Sequence, residues 1–443
     1  MSQAIHDFIA IGLGPFNLSL ACLVEPIEDL DGLFLERNAE FSWHPGMLID
    51  NTTLQNPFLA DLVSLADPKS PYSFLNYCKE EGKIYSYYFR ESFYLTRQEY
   101  NAYCRWAAGR LSRLRFQHEV QALDYDLQAG CYVITGVRGP GRQPFALRAR
   151  KLVLGVGSKP HFPRCCAGDG HRYLHSADYV AHKAQLQERR SITIVGSGQS
   201  AAEVYHDLLE GAERHGYRLS WITRSPRFFQ METTKLTLEM FSPDYIDYFY
   251  HLDEARKEHI VRQQDSLYKG VNAGLINRIY DLLDERRKRG PLNTHLITNC
   301  EIEACRHDPR ADRYEIEFRQ LDSGSRYAHQ TEALVFATGY RENIPAFLDG
   351  IRARLRWDEQ GRYRLARNYA ADLNGNEVFI QNAGQHTHGM TNQDLGMSCY
   401  RNSYILRELS GVEHYKIEHR IAIQDFAIPS SADFVRIGDG APA

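Results

Sequence analysis

Several things this chain of 443 residues lacks narrow its function before any motif is read. Its nine cysteines, at 22, 78, 104, 131, 165, 166, 300, 305 and 399, include no Cys-x-x-Cys pair. Neither a dithiol redox centre nor a zinc site is therefore expected. Their odd number and scattered placement favour free thiols in a reducing compartment, and a cytoplasmic location is the expectation. No uninterrupted apolar run approaches the roughly 20 residues that span a bilayer, so no membrane partner is expected. The apolar stretch at 8–24 follows His6 and Asp7 rather than a basic leader, which argues against a signal peptide. A net charge of −4 provides no basic surface for a polyanion, so nucleic acid is excluded as a partner. There is no repeat and no low-complexity tract. What remains is an ordinary globular composition, 43% hydrophobic and 24% charged, with length for two or three domains.

The chain is organised around Phe8-Ile9-Ala10-Ile11-Gly12-Leu13-Gly14-Pro15-Phe16-Asn17, which reads as a buried strand, a tight turn and a helix start. Gly12 permits the turn, Gly14 lets backbone approach a pyrophosphate, and Pro15 suits the first helical position. Asn17 stands where Gly-x-Gly-x-x-Gly has its third glycine. Glu36 ends the next apolar strand, about twenty residues on, where an acid accepts hydrogen bonds from a ribose. A strand-helix turn without ligand is the alternative. The pattern recurs at Ile192-Thr193-Ile194-Val195-Gly196-Ser197-Gly198-Gln199-Ser200. Here the following strand, 219–224, ends on Arg224, with Arg227 close behind. A cation there accommodates a 2′-phosphate and so points to NADPH; a solvated surface charge is the alternative. Two dinucleotide turns of opposite ribose preference suggest an FAD-bearing sheet interrupted by an NADPH-bearing one.

The expected fold class is α/β, with two nested Rossmann-like domains. Residues 1–160 and 330–425 form the FAD-binding domain, and 161–235 and 291–329 the NADPH-binding domain. Residues 236–290 form a small helical substrate-binding portion, and 426–443 a mobile tail. Alternation over 120–150 predicts an antiparallel meander, and 395–409 a helix. His386-Thr387-His388 has no cysteine or acid triad nearby, so no metal is expected.

The chain resembles the flavin-dependent N-hydroxylating monooxygenases of siderophore biosynthesis, which act on ornithine, lysine and diamines. The resemblance spans nearly the whole chain. It rests on Gly12-Leu13-Gly14-Pro15-Phe16-Asn17, Trp43-His44, Leu54-Gln55, Asp61-Leu62-Val63-Ser64, Ser70-Pro71-Tyr72-Ser73-Phe74, Gly196-Ser197-Gly198-Gln199-Ser200-Ala201, Phe336-Ala337-Thr338-Gly339-Tyr340 and Thr387-His388-Gly389. It implies that NADPH reduces FAD, that the reduced flavin and O2 form a C4a-hydroperoxide, and that the substrate amine attacks its distal oxygen. It also implies a homo-oligomer, a dimer or tetramer. Gln55 and Arg97 match flavin-lining positions and are the catalytic candidates. Trp43 and His44 match the FAD-contacting loop, and Thr338, Gln393, Asp394 and Leu395 complete the cofactor set. Gly196 to Ser200 and Arg224 match the NADPH site. Only a neutral amine can attack, and burial in a dry pocket raises that fraction, so no general base is named.

The chain departs from the amino-acid hydroxylases at one informative place. Those enzymes read Phe-Leu-Lys-Asp-Leu-Val-Ser, and the lysine holds the substrate carboxylate; here Ala60 replaces it. Two asparagines of the ornithine enzymes fall on Leu238 and Leu267, and a pocket serine falls near Gly396. These losses suit an amine without a carboxylate: cadaverine first, putrescine second. L-Lysine or L-ornithine is the alternative substrate, and a pyridine-nucleotide flavin reductase the more remote reading. Asp394 is the candidate partner for the distal ammonium; an acid favoured by a helix N-terminus is the other reading of it.

Overall fold

The computed structural model describes residues 4–166, 171, 173–431, 433–434 and 437. The strand Ile5–Ile11 runs parallel to Gly32–Leu35 on one side and Gln143–Leu154 on the other. Its side chains alternate between two cores, as a strand's period of two requires. Phe8 and Ala10 pack with the helix Pro15–Val24, while Ile9 and Ile11 face Leu123, Tyr132 and Ile351. Covering both faces explains why the strand is apolar throughout. The meander expected at 120–150 is present as His118–Asp126, Cys131–Arg138 and Gln143–Leu154. The end of its last strand doubles as the parallel partner of Ile5–Ile11. The expected C-terminal helix is Ser398–Ser410, whose Ile405 and Leu406 join the core under Pro15–Val24.

The second sheet is wholly parallel, in the order Leu174–His175, Ala333–Phe336, Ser191–Val195, Arg218–Ile222, Thr294–Ile297. The helix Gln199–His215 follows its central strand. Three antiparallel strands, Cys300–Asp308, Arg313–Gln320 and Arg326–Thr331, follow the fifth. Ser158–Pro160 pairs with Tyr340–Glu342 where the chain leaves the first sheet and returns to it.

Two expected boundaries shift. Ala333–Phe336 falls within the expected FAD segment beginning at 330, yet it pairs with Ser191–Val195 in the second sheet. The return crossing therefore lies near Thr338. Residues 236–290 do not form one helical portion. Lys235–Leu238, Pro243–Tyr250, Glu254–Gln263 and Asp265–Tyr268 make a small helical layer. Ala273–Arg289 is instead the crossover that two parallel neighbours, Arg218–Ile222 and Thr294–Ile297, require; its Leu275 and Ile279 pack with Tyr205 and Leu208. In the expected tail, Phe426 packs edge-on against Tyr245, with centroids 5.1 Å apart. Residues 432, 435–436 and 438–443 of that tail lie outside the described residues.

Candidate active site

The two glycine turns face one cavity of about 1670 Å³, larger than the roughly 300–1,000 Å³ of most single-ligand clefts. Gly14, Pro15 and Asn17 line it from the first turn, and Gly196 to Ser200 from the second. Trp43, His44 and Arg97 lie between them; Thr338, Gln393 and Leu395 line the side built by the returning chain. Arg224 and Arg227 reach the rim. The Arg224 side chain is 76% exposed and 3.6 Å from Glu301, a screened pair of little strength that leaves it available to an anion.

The backbone of both turns suits a dinucleotide. Pro15–Val24 and Gln199–His215 begin after Gly14 and Gly198, and neither N-terminus is capped by a side chain. Their first N–H groups and the positive ends of both helix dipoles are left for an anion. A Cβ on Gly14 would meet nothing within 4 Å, whereas one on Gly12 would lie 2.5 Å from the Gly155 carbonyl oxygen at φ +85°. Gly12 therefore makes the turn beneath the cavity, and Gly14 keeps the cavity open.

Asn17 and Glu36 brace that turn. The Asn17 Nδ2 donates to the Gly12 carbonyl at 2.7 Å, and its Oδ1 accepts from Gln381 Nε2 at 3.0 Å. That connection to the C-terminal part of the chain is the work of an amide, which a third glycine could not do. The Glu36 carboxylate is buried and accepts the Leu13 and Asn38 N–H groups, each at 2.8 Å. It does not line the cavity, though a carboxylate retains lone pairs for ribose hydroxyls.

Gln55 and Arg97 meet the second turn through a residue that sequence reasoning passed over, Glu203. The Arg97 Nη2 lies 3.1 Å from Glu203 Oε2, and Gln199 Nε2 donates to Glu203 Oε1 at 2.9 Å. Gln55 Nε2 donates in turn to Gln199 Oε1 at 3.3 Å. Glu203 is 1% exposed; burial pushes its carboxyl pKa up, and the Arg97 charge opposes the rise. Its signal was visible: an acid one turn after Gln199, on the buried face of the helix. The Arg97 Nε is buried and has no hydrogen-bond partner. His44 packs edge-on between Trp43 and Tyr340, with centroids 5.0 and 5.6 Å away. Burial, with the Arg97 charge, lowers its pKa to about 4, so its imidazole is neutral at physiological pH. Two uncapped helix ends and a glycine-opened floor fit bound dinucleotides.

Three of the five expected substrate residues, Ala60, Asp394 and Gly396, come together, next to the lining residues Gln393 and Leu395, although none of the three itself lines the cavity. Asp394 Oδ1 accepts the Gly396 N–H at 2.7 Å, and its Oδ2 accepts from Asn56 Nδ2 at 2.8 Å. A Cβ on Gly396 would lie 3.7 Å from the Ala60 Cβ. Burial raises the Asp394 pKa, and the hydrogen bonds from Asn56 and Gly396 oppose it. Asn56, adjacent to Gln55, was not foreseen. Leu238 and Leu267 do not join this group. Leu238 stands 46% exposed, and Leu267 turns from the cavity into an apolar cluster with Tyr245, Phe249 and Met390. The reason is local: on the one-turn helix Asp265–Tyr268, the polar neighbours Asp265, Ser266 and Tyr268 take the cavity side.

His386 and His388 bond to separate backbone carbonyls, those of Tyr363 at 2.8 Å and Arg367 at 3.2 Å. Among the described residues no group of three or more His, Cys, Asp or Glu side chains is arranged to hold a metal, and no helix is long and apolar enough to cross a membrane.

The family model for L-lysine 6-monooxygenase/L-ornithine 5-monooxygenase matches residues 4–342. The chain belongs to this family. It is 57% identical over 430 residues to an alcaligin biosynthesis enzyme of Bordetella pertussis, covering 97% of this chain and 93% of that protein. It is 46% identical over 436 residues to a putrescine N-hydroxylase of Shewanella oneidensis, covering 98% and 87%. The crystal structure of a cadaverine monooxygenase of desferrioxamine biosynthesis from Erwinia amylovora, bound to FAD, superposes with a TM-score of 0.94 at 49% identity, covering 97% of this chain and 100% of that one. Membership in this family makes the chain an N-hydroxylating monooxygenase, and the nested α/β architecture is the family's own.

Proposed function

We propose that this member of the family is an FAD- and NADPH-dependent diamine N-hydroxylase that acts on cadaverine first and putrescine second and feeds a hydroxamate siderophore. The observation that carries the reading is the group at Ala60, Asp394 and Gly396. It offers a methyl where an amino-acid substrate needs a cation, and a carboxylate beside it. A substrate carboxylate placed there would face Asp394 unpaired, at a cost of about 3–5 kcal/mol for an uncompensated buried charge. A diamine presents an ammonium to the same oxygen atoms. One relative is named a putrescine N-hydroxylase and another a cadaverine monooxygenase, which supports the same substrate class.

FAD, once bound and reduced by NADPH, would activate O2, of which one atom goes to the amine and the other leaves as water. The chain's own residues bind and orient. The N–H groups after Gly14 and Gly198 receive the two pyrophosphates. Glu36 takes the ribose of FAD, and Arg224 with Arg227 the 2′-phosphate of NADPH. Arg97, anchored by Glu203, brings a positive charge to the cavity wall, and neutral His44 adds none. Asp394 holds the distal ammonium and so fixes which nitrogen reacts. The reacting nitrogen must be neutral, and an alkyl amine with a pKa near 10.4 is neutral in only about one molecule in 10^3 at physiological pH; a dry cavity raises that fraction.

The test is NADPH oxidation measured together with hydroxylamine yield in the presence of cadaverine. Amine-stimulated oxidation with stoichiometric hydroxylamine is expected. Oxidation without hydroxylamine would make the protein a flavin reductase.

A further inference from the structure

Arg401 stands in the first turn of the helix Ser398–Ser410 and is 1% exposed. Its Nε donates to Gln381 Oε1 at 3.0 Å and its Nη1 to the Asn392 carbonyl, while its Nη2 is buried with no hydrogen-bond partner. Its guanidinium carbon lies 4.4 Å from the centroid of the Phe16 ring. Among the described residues no carboxylate forms an ion pair with it; Asp394 acts on it only through space. Burial lowers its pKa to about 10, so it stays charged at physiological pH. That charge is costly twice over, being buried without a counter-ion and set at the positive end of a helix dipole.

The cation sits directly behind the cavity wall. Phe16, on which it packs, lines the cavity, and so do Asn382 and Gln393, the neighbours in sequence of its two hydrogen-bond partners. Through Gln381, which donates to Asn17 Oδ1 at 3.0 Å, it joins the network that braces the first glycine turn. The cations of the wall itself are otherwise engaged. Arg97 has Glu203 at 3.1 Å and Lys269 has Asp265 at 2.8 Å, while Arg164, Arg224, Arg227 and Arg341 are exposed to solvent. We propose that Arg401 is the electrostatic partner of the reduced flavin. Hydride transfer turns FAD and NADPH into FADH− and NADP+, so the flavin gains one negative charge. A cation fixed in surroundings of low dielectric favours that state over the oxidised one and raises the reduction potential. The inference is independent of the substrate reading.

The midpoint potential of the flavin in the holoenzyme, measured by reduction against a reference dye, tests it. Arg401→Gln removes the charge and keeps a donor. Asn392→Asp keeps the arginine and puts a carboxylate beside it, replacing an amide nitrogen that is buried and unpartnered; it gives a second reading should Arg401→Gln fail to fold. Both variants are expected to lose about tenfold in preference for reduced over oxidised FAD, a fall of about 30 mV for a two-electron couple. Arg401→Lys retains the charge and should stay near the wild-type potential. Melting temperature and flavin content check fold and loading; a purely structural role would change these and leave the potential alone. An unchanged potential in either charge-altering variant overturns the inference, as does a fall in Arg401→Lys as large as in Arg401→Gln.

Discussion

Replacing Asp394 with asparagine isolates the charge that the substrate reading depends on. Shape and most local bonds survive. The new side chain still accepts the Gly396 N–H, and the Asn56 amide can rotate to present its oxygen to the new amide. Arg401, buried nearby, is already held by Gln381 Oε1 at 3.0 Å and by the Asn392 carbonyl. What disappears is the anion that the proposed function sets against the distal ammonium. A hydrogen bond to a charged group is worth about 1.5–3 kcal/mol, so kcat/KM for cadaverine is expected to fall roughly 10- to 150-fold. The assay is hydroxylamine formation against cadaverine concentration, with amine-independent NADPH oxidation as the control that both nucleotide sites are intact. Stability should move the other way. Burial raises the Asp394 pKa, so the folded state holds this proton more tightly than the unfolded chain does. The group's contribution is complete below the ordinary carboxyl range and is lost as pH rises through the raised value. Asp394→Asn should therefore melt at or above the wild-type temperature at neutral pH, with the difference vanishing in acid. A kcat/KM for cadaverine within about twofold of wild type would refute the role of the charge.

Three further outcomes follow from the same geometry. Gly14→Ala should leave the melting of the flavin-free protein unchanged, because its Cβ meets nothing, yet weaken flavin binding in fluorescence titration; Gly12→Ala should lower stability itself, by about 1–3 kcal/mol, from a left-handed φ and a 2.5 Å clash. Glu203→Leu should cost about 3–5 kcal/mol in urea unfolding by leaving Arg97 buried without its partner, and Arg97→Leu in the same chain should restore much of that; a single-variant loss below about 1 kcal/mol would show that the pair is dispensable. The kcat/KM for a diamine should climb about tenfold per pH unit between neutrality and pH 9 as the neutral amine accumulates, with no inflection from His44, whose pKa lies near 4; a flat profile would contradict the need for a neutral nitrogen.

Both nucleotide turns were legible because strand, glycine pair and helix are local, and the structure reproduces them in register. Boundaries set by tertiary pairing were not. Nothing within Ala333–Phe336 says which of two parallel sheets it will enter, and Ala273–Arg289 reads as one more polar helix until its strands are known to be neighbours. Ala60, Asp394 and Gly396, each read from a motif segment, lie together in the structure. Leu238 and Leu267 stand apart from that group, on helices from 235 to 268 so short that a shift of one residue turns a side chain from the cavity to the core. Glu203 was overlooked because a helical acid usually means solvent; its place on the buried face was visible, but its pairing with Arg97, 106 positions earlier, was not.

The central proposal is that the group at Ala60, Asp394 and Gly396 makes the enzyme accept a diamine and reject an amino acid. The ratio of kcat/KM for cadaverine to that for L-lysine, read as hydroxylamine formed, tests it most directly. An unpaired carboxylate costing about 3–5 kcal/mol predicts a ratio above roughly 100. A ratio at or below unity would contradict it.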